Sequence, residues 1–157
     1  MWILSVFSAI LLFGYLKVVA SEKGAADMVS STYYQIGKYG WVFSAVLLCV
    51  GLMMGICLLD SGKGIECLAF LCCAGLIFVG IAPNFLEEYE LRVHKTAAII
   101  SAIGGVGWCL SVFPAVTVVL LLVYGLYWFM RDKDSHPFYA AELLGFVDVF
   151  ATYWIGC

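Results

Sequence analysis

Charged residues are scarce in this sequence. Asp, Glu, Lys and Arg make up 12% of the 157 residues, whereas hydrophobic residues make up 64%. An average soluble domain carries about 25% charged residues. With so few polar groups the chain could not cover a globular surface that faces water, which excludes an ordinary soluble domain. The composition indicates an integral membrane protein.

Motifs of familiar enzymes and of nucleic-acid-binding proteins are also missing. The only histidines are His94 and His136, too few for the multi-histidine sites of membrane desaturases and hydrolases. Neither GxSxG nor HExxH occurs, and the seven cysteines show no spacing of the zinc type. The net charge of −3, without a basic patch interleaved with aromatics, argues against nucleic acid as a partner. We expect no cofactor.

Long apolar runs separated by short charged clusters dominate the chain. A bilayer core about 30 Å thick needs roughly 20 apolar helical residues per crossing, and such runs leave no room for a soluble domain. We predict one all-α transmembrane domain, a six-transmembrane-helix bundle; the alternative is five spans and an interfacial C-terminal helix. The predicted spans are residues 2–20, 41–59, 65–83, 96–113, 114–130 and 138–156.

The boundary between the fourth and fifth spans depends on one proline. Residues 97–130 are 34 residues without a charge, and a single helix of that length would measure about 51 Å, too long for one crossing. Pro114 is the expected break because proline disrupts a helix interior. The segment 21–40, polar and rich in tyrosine, is expected to lie along the membrane surface with a short helix near residues 25–35.

Small residues predict where helices pack closely. Gly51 and Gly55 form a GxxxG spacing, which favours packing within the bundle over a dimer face. A second stripe recurs at every fourth position of the fourth span. Its members are Ala97, Ser101, Gly105 and Cys109.

The distribution of Lys and Arg predicts the orientation. Seven of the eight cations flank the first, third and fifth connections, and only Lys63 flanks the other side. The positive-inside rule then places the odd connections in the cytoplasm and both termini outside. The seven are Lys17, Lys23, Lys38, Arg92, Lys95, Arg131 and Lys133.

Asp148 is the most unusual acidic residue, because it falls near the middle of the last apolar segment. An ionised side chain at that depth costs about 2.5–3.5 kcal/mol or more. It could act as a proton- or cation-binding group, or it could be satisfied by a hydrogen bond to a tyrosine or serine of a neighbouring span. Glu142 lies six residues earlier, near the membrane edge, and about 120° away around the helix, so the two acids do not stack.

The segment from Pro83 to Lys95 carries the densest charge cluster, and we expect a cytoplasmic interfacial loop there. On a helix, Glu87, Glu90 and His94 would share a face at spacings of three and four. Such a face can hold a divalent cation or carry out acid–base chemistry, although solvated pairing with Arg92 and Lys95 is the simpler interpretation.

Several short motifs are similar to one family. They are Gly75-Leu-Ile-Phe-Val-Gly80-Ile-Ala-Pro83, Val93-His94-Lys95-Thr96-Ala97-Ala98, Ala140-Ala141-Glu142, Ser31-Thr32-Tyr33-Tyr34 and Lys38-Tyr39-Gly40-Trp41. The chain resembles bacterial integral membrane proteins of unknown function related to the DRAM/Frag/Sfk group, in particular small inner-membrane proteins of gut Bacteroidetes and their phages.

The resemblance implies a six-helix bundle with Pro83, His94 and Glu142 as its marked positions and no established enzymatic activity. Eukaryotic relatives are associated with lipid organisation in lysosomal or plasma membranes. They are usually drawn with both termini in the cytoplasm, the reverse of the orientation that the charges predict here.

The leading functional prediction is a multi-pass protein of a bacterial inner membrane that binds membrane lipid, a membrane-protein partner or a second copy of itself. One alternative is a proton- or cation-coupled transporter or channel that uses Asp148. The other is a lipid-modifying enzyme that uses His94 and nearby glutamates. The candidate functional residues are Pro83, Glu87, Glu90, His94, Glu142 and Asp148.

Overall fold

A computed structural model describes residues 1–24, 26–85, 87–132 and 135–157, and for Glu87 and Glu88 the backbone alone. Within these residues the structure is helical and contains no strand. Short 3₁₀ turns at Gly37–Tyr39 and Ala82–Asn84 precede α3 and follow α4. The helices are α1 (Trp2–Lys23), α2 (Thr32–Gln35), α3 (Gly40–Asp60), α4 (Glu66–Ile81), α5 (Glu87–Val112), α6 (Pro114–Met130) and α7 (Pro137–Gly156).

Five helical segments of the described chain are long and apolar enough to cross a membrane, against the six that the sequence predicted. They are built on α1, α3, α4, α5 and α7. The remaining apolar helix, α6, has 17 residues, about 26 Å at 1.5 Å per residue, against a bilayer core of about 30 Å. The helix that is too short for a full crossing is therefore the fifth predicted span. The alternative prediction had assigned that role to the C-terminal helix.

The proline break lies where the sequence predicted it. Phe113 alone separates α5 from α6, and its backbone (φ −148°, ψ 81°) lies outside the helical region, which the residue before a proline disfavours. Pro114 then opens α6, where its missing N–H leaves no helical hydrogen bond unmade.

The prediction of an interfacial loop between Pro83 and Lys95 is wrong for most of that segment. The chain is helical from Glu87 onward, so α5 begins nine residues before the predicted span at residue 96. Glu, Leu, Arg and Lys are good helix formers, so the charges end the apolar segment without ending the helix. A surface helix was predicted near residues 25–35, but the helix found there is only α2, and a turn precedes it. Ala25 lies outside the described residues.

Five of the helices form a ring. α3 packs against α1 and α4, α4 against α5, α5 against α7, and α7 returns to α1. α6 lies outside this ring against α5 and α7, and Thr117 is its one buried residue. Contacts group the connections after α1, α4 and α6 at one end, which we name the loop end. The turns after α3 and α5 meet at the opposite end, which we name the termini end.

The α4–α5 interface is close because glycines let the two backbones meet. A Cβ built on Gly75 would stand 2.7 Å from the Ala97 carbonyl oxygen, and one on Gly104 would stand 2.6 Å from the Cys72 nitrogen. The Ser101 hydroxyl donates to the Cys72 carbonyl at 2.8 Å. The predicted small-residue stripe of α5 is thus confirmed as a packing surface at Ala97 and Ser101. The GxxxG of α3 likewise faces α4, with Gly51 against Ile77 and Gly55 against Cys73.

Candidate functional site: a cavity at the loop end

Contacts between residues 27–30 and residues 136–142 hold the α1–α2 connection onto the start of α7; we name this set the loop clasp. Helix starts leave backbone N–H groups without partners, and the Tyr139 N–H donates to the Asp27 carbonyl at 3.1 Å. His136 Nδ1 lies 3.0 Å from Asp27 Oδ1. Each segment thereby satisfies polar groups of the other.

Glu142 is the innermost member of the loop clasp. Its carboxylate accepts a hydrogen bond from the backbone N–H of Val29 and lies close to that of Ser30. These two N–H groups open the turn that leads into α2, so the carboxylate caps that turn much as an acidic side chain caps a helix start. Its predicted position at the membrane edge thus has a structural explanation.

A cavity of about 290 Å³ lies inside the ring, below the loop clasp. Its walls come from α3, α4, α5 and α7 and are mainly apolar, with Phe43, Leu47, Val50, Leu76 and Phe146 among the lining residues. Polar groups line it at the loop end, where His94, Glu142 and Ser30 lie, and the Ser101 hydroxyl lines it further in. A volume near the lower limit of small-molecule pockets, apolar walls and a few polar groups at one end are typical features of a ligand site.

A second cavity of about 330 Å³ lies next to the first, toward the loop end. It shares Ser30, Phe43 and His94 with the inner cavity. Pro83 and Glu90 line only this outer one. Half-buried His94 therefore stands at the junction of the two.

The structure brings four of the six predicted residues together around these cavities. His94 lines both, Glu142 lines the inner one, and Pro83 and Glu90 line the outer one. The side chain of Glu87 lies outside the described residues. Among the side chains that are described, no group of three or more His, Cys, Asp and Glu could hold a metal ion.

Asp148 lies apart from both cavities, buried where α5, α6 and α7 meet. The Thr117 hydroxyl donates to its Oδ1 at 3.1 Å and the Thr152 hydroxyl at 3.3 Å. The Cys109 thiol also hydrogen-bonds to the carboxylate. The sequence predicted a tyrosine or serine partner; the hydroxyls come instead from one threonine of α6 and one of Asp148's own helix. Thr152 could have been found at the i+4 spacing, whereas nothing in the sequence indicated Thr117.

Tyr34 is a residue that the sequence did not single out as functional. Its phenol donates to the Glu90 carboxylate at the rim of the outer cavity. This hydrogen bond, helped by partial burial, raises the pKa of Tyr34 from 10.0 to about 12. The phenol keeps its proton because a phenolate could not donate to the carboxylate and would be repelled by it.

We expect Tyr34 to ionise near pH 12 and the variant Glu90→Gln to return its pKa toward 10, since a neutral amide does not repel the phenolate. Titration followed by NMR of ¹³C-labelled tyrosine measures this, with Tyr34→Phe identifying the resonance. Tyr39, which is also exposed and lies in the same connection, provides the control resonance. An unchanged Tyr34 titration in Glu90→Gln would contradict the contact.

No protein-family model, curated protein or solved structure matches the chain. The resemblance to the DRAM/Frag/Sfk group therefore stays a prediction.

Proposed function

We propose that this protein binds a single-chain membrane amphiphile in the inner cavity, with the polar head at His94 and the chain among α3, α4, α5 and α7. The observation that carries the proposal is the form of that cavity: its ionisable side chains, His94 and Glu142, lie at the loop end, and the rest is apolar apart from the Ser101 hydroxyl, which already donates to the Cys72 carbonyl. An amphiphile has the same division between head and chain.

The cavity depth suits one leaflet. Along α5 the lining runs from His94 to Val106, twelve residues or about 18 Å. Half of a bilayer core of about 30 Å is about 15 Å. A chain that starts at the headgroup level would therefore end near the midplane.

The exposure of the lining residues supports entry from the side, between α5 and α7. The wall made by α3 is buried at Phe43, Leu47, Val50 and Met54. The lining residues that are exposed lie on two of the other three helices: Ala102 and Val106 on α5, and Gly145 on α7. A lipid chain could pass between these small side chains without crossing the polar loop end.

The charge at the cavity mouth favours a neutral or cationic head. Glu90 and Glu142 contribute carboxylates, and no Lys or Arg is among the described residues that line either cavity. An anionic head would meet like charge at short range, which disfavours binding.

The fold in the membrane that we propose has six crossings, with α6 as the fifth. The alternating ends of the helices support it. The cation distribution favours an orientation with the loop end in the cytoplasm of a bacterial cell and both termini outside. α6 is slightly shorter than the hydrocarbon core of a bilayer is thick. Local thinning of the bilayer or tilt of the neighbouring helices would accommodate this difference.

Native mass spectrometry of the purified protein tests the amphiphile proposal with three added probes: monolaurin, laurylamine and lauric acid. We expect adducts with the neutral and cationic probes and a weaker one with the anionic probe. Ala102→Trp, which fills the side opening, is expected to weaken monolaurin binding about tenfold or more. Ile103→Trp is the matched control, because Ile103 is exposed on the same helix and does not line the cavity.

Equal binding by Ala102→Trp and wild type, or no adduct with any probe, would rule out this cavity as the binding site. The mass of the bound probe also separates binding from chemistry. An unchanged mass fits a binding protein, whereas a changed mass would favour the alternative of a lipid-modifying enzyme with His94 at the junction of the two cavities.

A further inference from the structure

Asp148 poses a charge problem that the amphiphile cavity does not address. The residue is 4% exposed, and within the described part of the chain no Lys, Arg or His forms an ion pair with it. Its hydrogen-bonding partners are two threonine hydroxyls and a thiol, all neutral groups. A buried carboxylate in such surroundings needs either a proton or a positive ion.

The local backbone favours the ionised form. Thr117 lies in the first turn of α6, so Asp148 meets the positive end of that helix dipole. Through Cys109 the carboxylate also lies beside the last turn of α5, so one helix ends and the next begins next to it. Interrupted membrane helices often supply ion sites at such ends.

The oxygens around Asp148 are spaced more widely than in a typical hydrogen bond. Hydroxyl–carboxylate hydrogen bonds are commonly about 2.7–2.8 Å long, whereas Thr117 and Thr152 stand 3.1 and 3.3 Å from Asp148 Oδ1. Ca²⁺, which is close to Na⁺ in size, holds oxygen ligands at about 2.3–2.6 Å, so neighbouring ligands at right angles are about 3.3–3.7 Å apart. The Thr152 distance reaches the lower end of that range, and a small outward shift of the Thr117 hydroxyl would bring it there as well. Each hydroxyl can turn its proton outward and offer a lone pair instead.

We propose that the Asp148 carboxylate, together with the hydroxyls of Thr117 and Thr152, binds a monovalent cation of the size of Na⁺. A single carboxylate balances one positive charge and no more, which disfavours a divalent ion at this depth. Bound there, the ion joins α6 to α7 beside the end of α5 and stabilises the position of the helix outside the ring.

Thermal unfolding of the detergent-solubilised protein tests this site in chloride salts of Na⁺, K⁺ and choline at equal ionic strength. We expect the Tm to be about 5 °C higher in saturating Na⁺ than in choline, with a smaller rise in K⁺. Asp148→Asn and Thr152→Val should lose the Na⁺ effect, and Thr152→Ser, which keeps the hydroxyl, should retain it. Glu66→Gln, which alters an exposed acid at the termini end, should also retain it.

The Tm values of the wild-type protein in the three salts can by themselves contradict the proposal, even if some variants fail to fold. Equal Tm values in all three salts would exclude the cation site. If the Tm then rose as the pH fell, the carboxylate would be held by a proton instead. A Na⁺ effect that survived in folded Asp148→Asn would place the ion elsewhere.

Discussion

Replacing Glu142 with Ala is expected to free the turn that begins α2 and to lower the free energy of unfolding by about 2–4 kcal/mol. The carboxylate accepts a hydrogen bond from the Val29 N–H and lies close to the Ser30 N–H, and alanine removes this acceptor from both groups. Each buried, unsatisfied group costs about 1–3 kcal/mol. Hydrogen–deuterium exchange should show the loss locally as faster exchange over residues 27–35, and thermal unfolding should show it globally.

Two variants separate this role from general damage to the loop clasp. Glu142→Gln keeps an acceptor oxygen and should lose less stability than Glu142→Ala. Asp27→Asn weakens the contact with His136, but that pair is largely exposed, with 87% of the Asp27 side chain accessible, so we expect a change below about 1 kcal/mol. If Asp27→Asn matched the effect of Glu142→Ala, the backbone capping by Glu142 would not be the main interaction.

The Glu142 variants also bear on the proposed ligand. Val29 and Ser30, which the carboxylate caps, line the inner cavity. Loosening that segment opens the polar end of the cavity, so bound monolaurin should leave Glu142→Ala faster than wild type even though the apolar walls are unchanged. The same residue would thus contribute to both stability and retention of the head.

The helices themselves could be predicted well from the sequence, because apolar length and proline position depend on local composition. The predicted fifth span, residues 114–130, coincides with α6. The start of α5 could not be predicted in the same way. Charges mark the edge of an apolar segment, but they do not stop helical hydrogen bonding, and Glu87–Lys95 continue the helix into the polar region.

The candidate residues were predictable individually, but their grouping was not. His94 and Glu142 are 48 positions apart and meet at one cavity only because α5 and α7 are neighbours in the ring. Asp148 was predicted as a single unusual acid, yet its donor Thr117 lies on the helix outside the ring. Sequence periodicity places residues on the face of one helix and does not indicate which helix lies opposite.

Replacing Trp108 with Ala is expected to have the largest effect on stability at the termini end, about 3–5 kcal/mol. Trp108 is fully buried, the largest side chain of the core with no exposure. Its indole N–H donates to the Lys63 carbonyl at 3.0 Å. The substitution therefore creates a large cavity and removes the donor that holds the α3–α4 turn against α5.

The turn that Trp108 contacts is already closely fitted. Gly64 has φ +66°, and a Cβ there would stand 2.5 Å from the Ser111 hydroxyl. The Ile65 N–H donates to that same hydroxyl at 3.1 Å. Because the turn is held to α5 through both Trp108 and Ser111, loss of the indole should loosen α4 from α5 beginning at this end.

Unfolding in a denaturant series measures the size of the effect, with Trp108→Phe and Trp41→Ala as comparisons. Phenylalanine fills much of the space and loses the hydrogen bond, so its cost should be smaller, about 1–3 kcal/mol. Trp41 is 66% exposed at the loop end, so its truncation should cost far less than that of Trp108. Equal losses for Trp41→Ala and Trp108→Ala would mean that the termini end is not held together by this indole. A large loss for Trp108→Ala with little for Trp108→Phe would assign the stabilisation to packing, with only a minor share for the bond to Lys63.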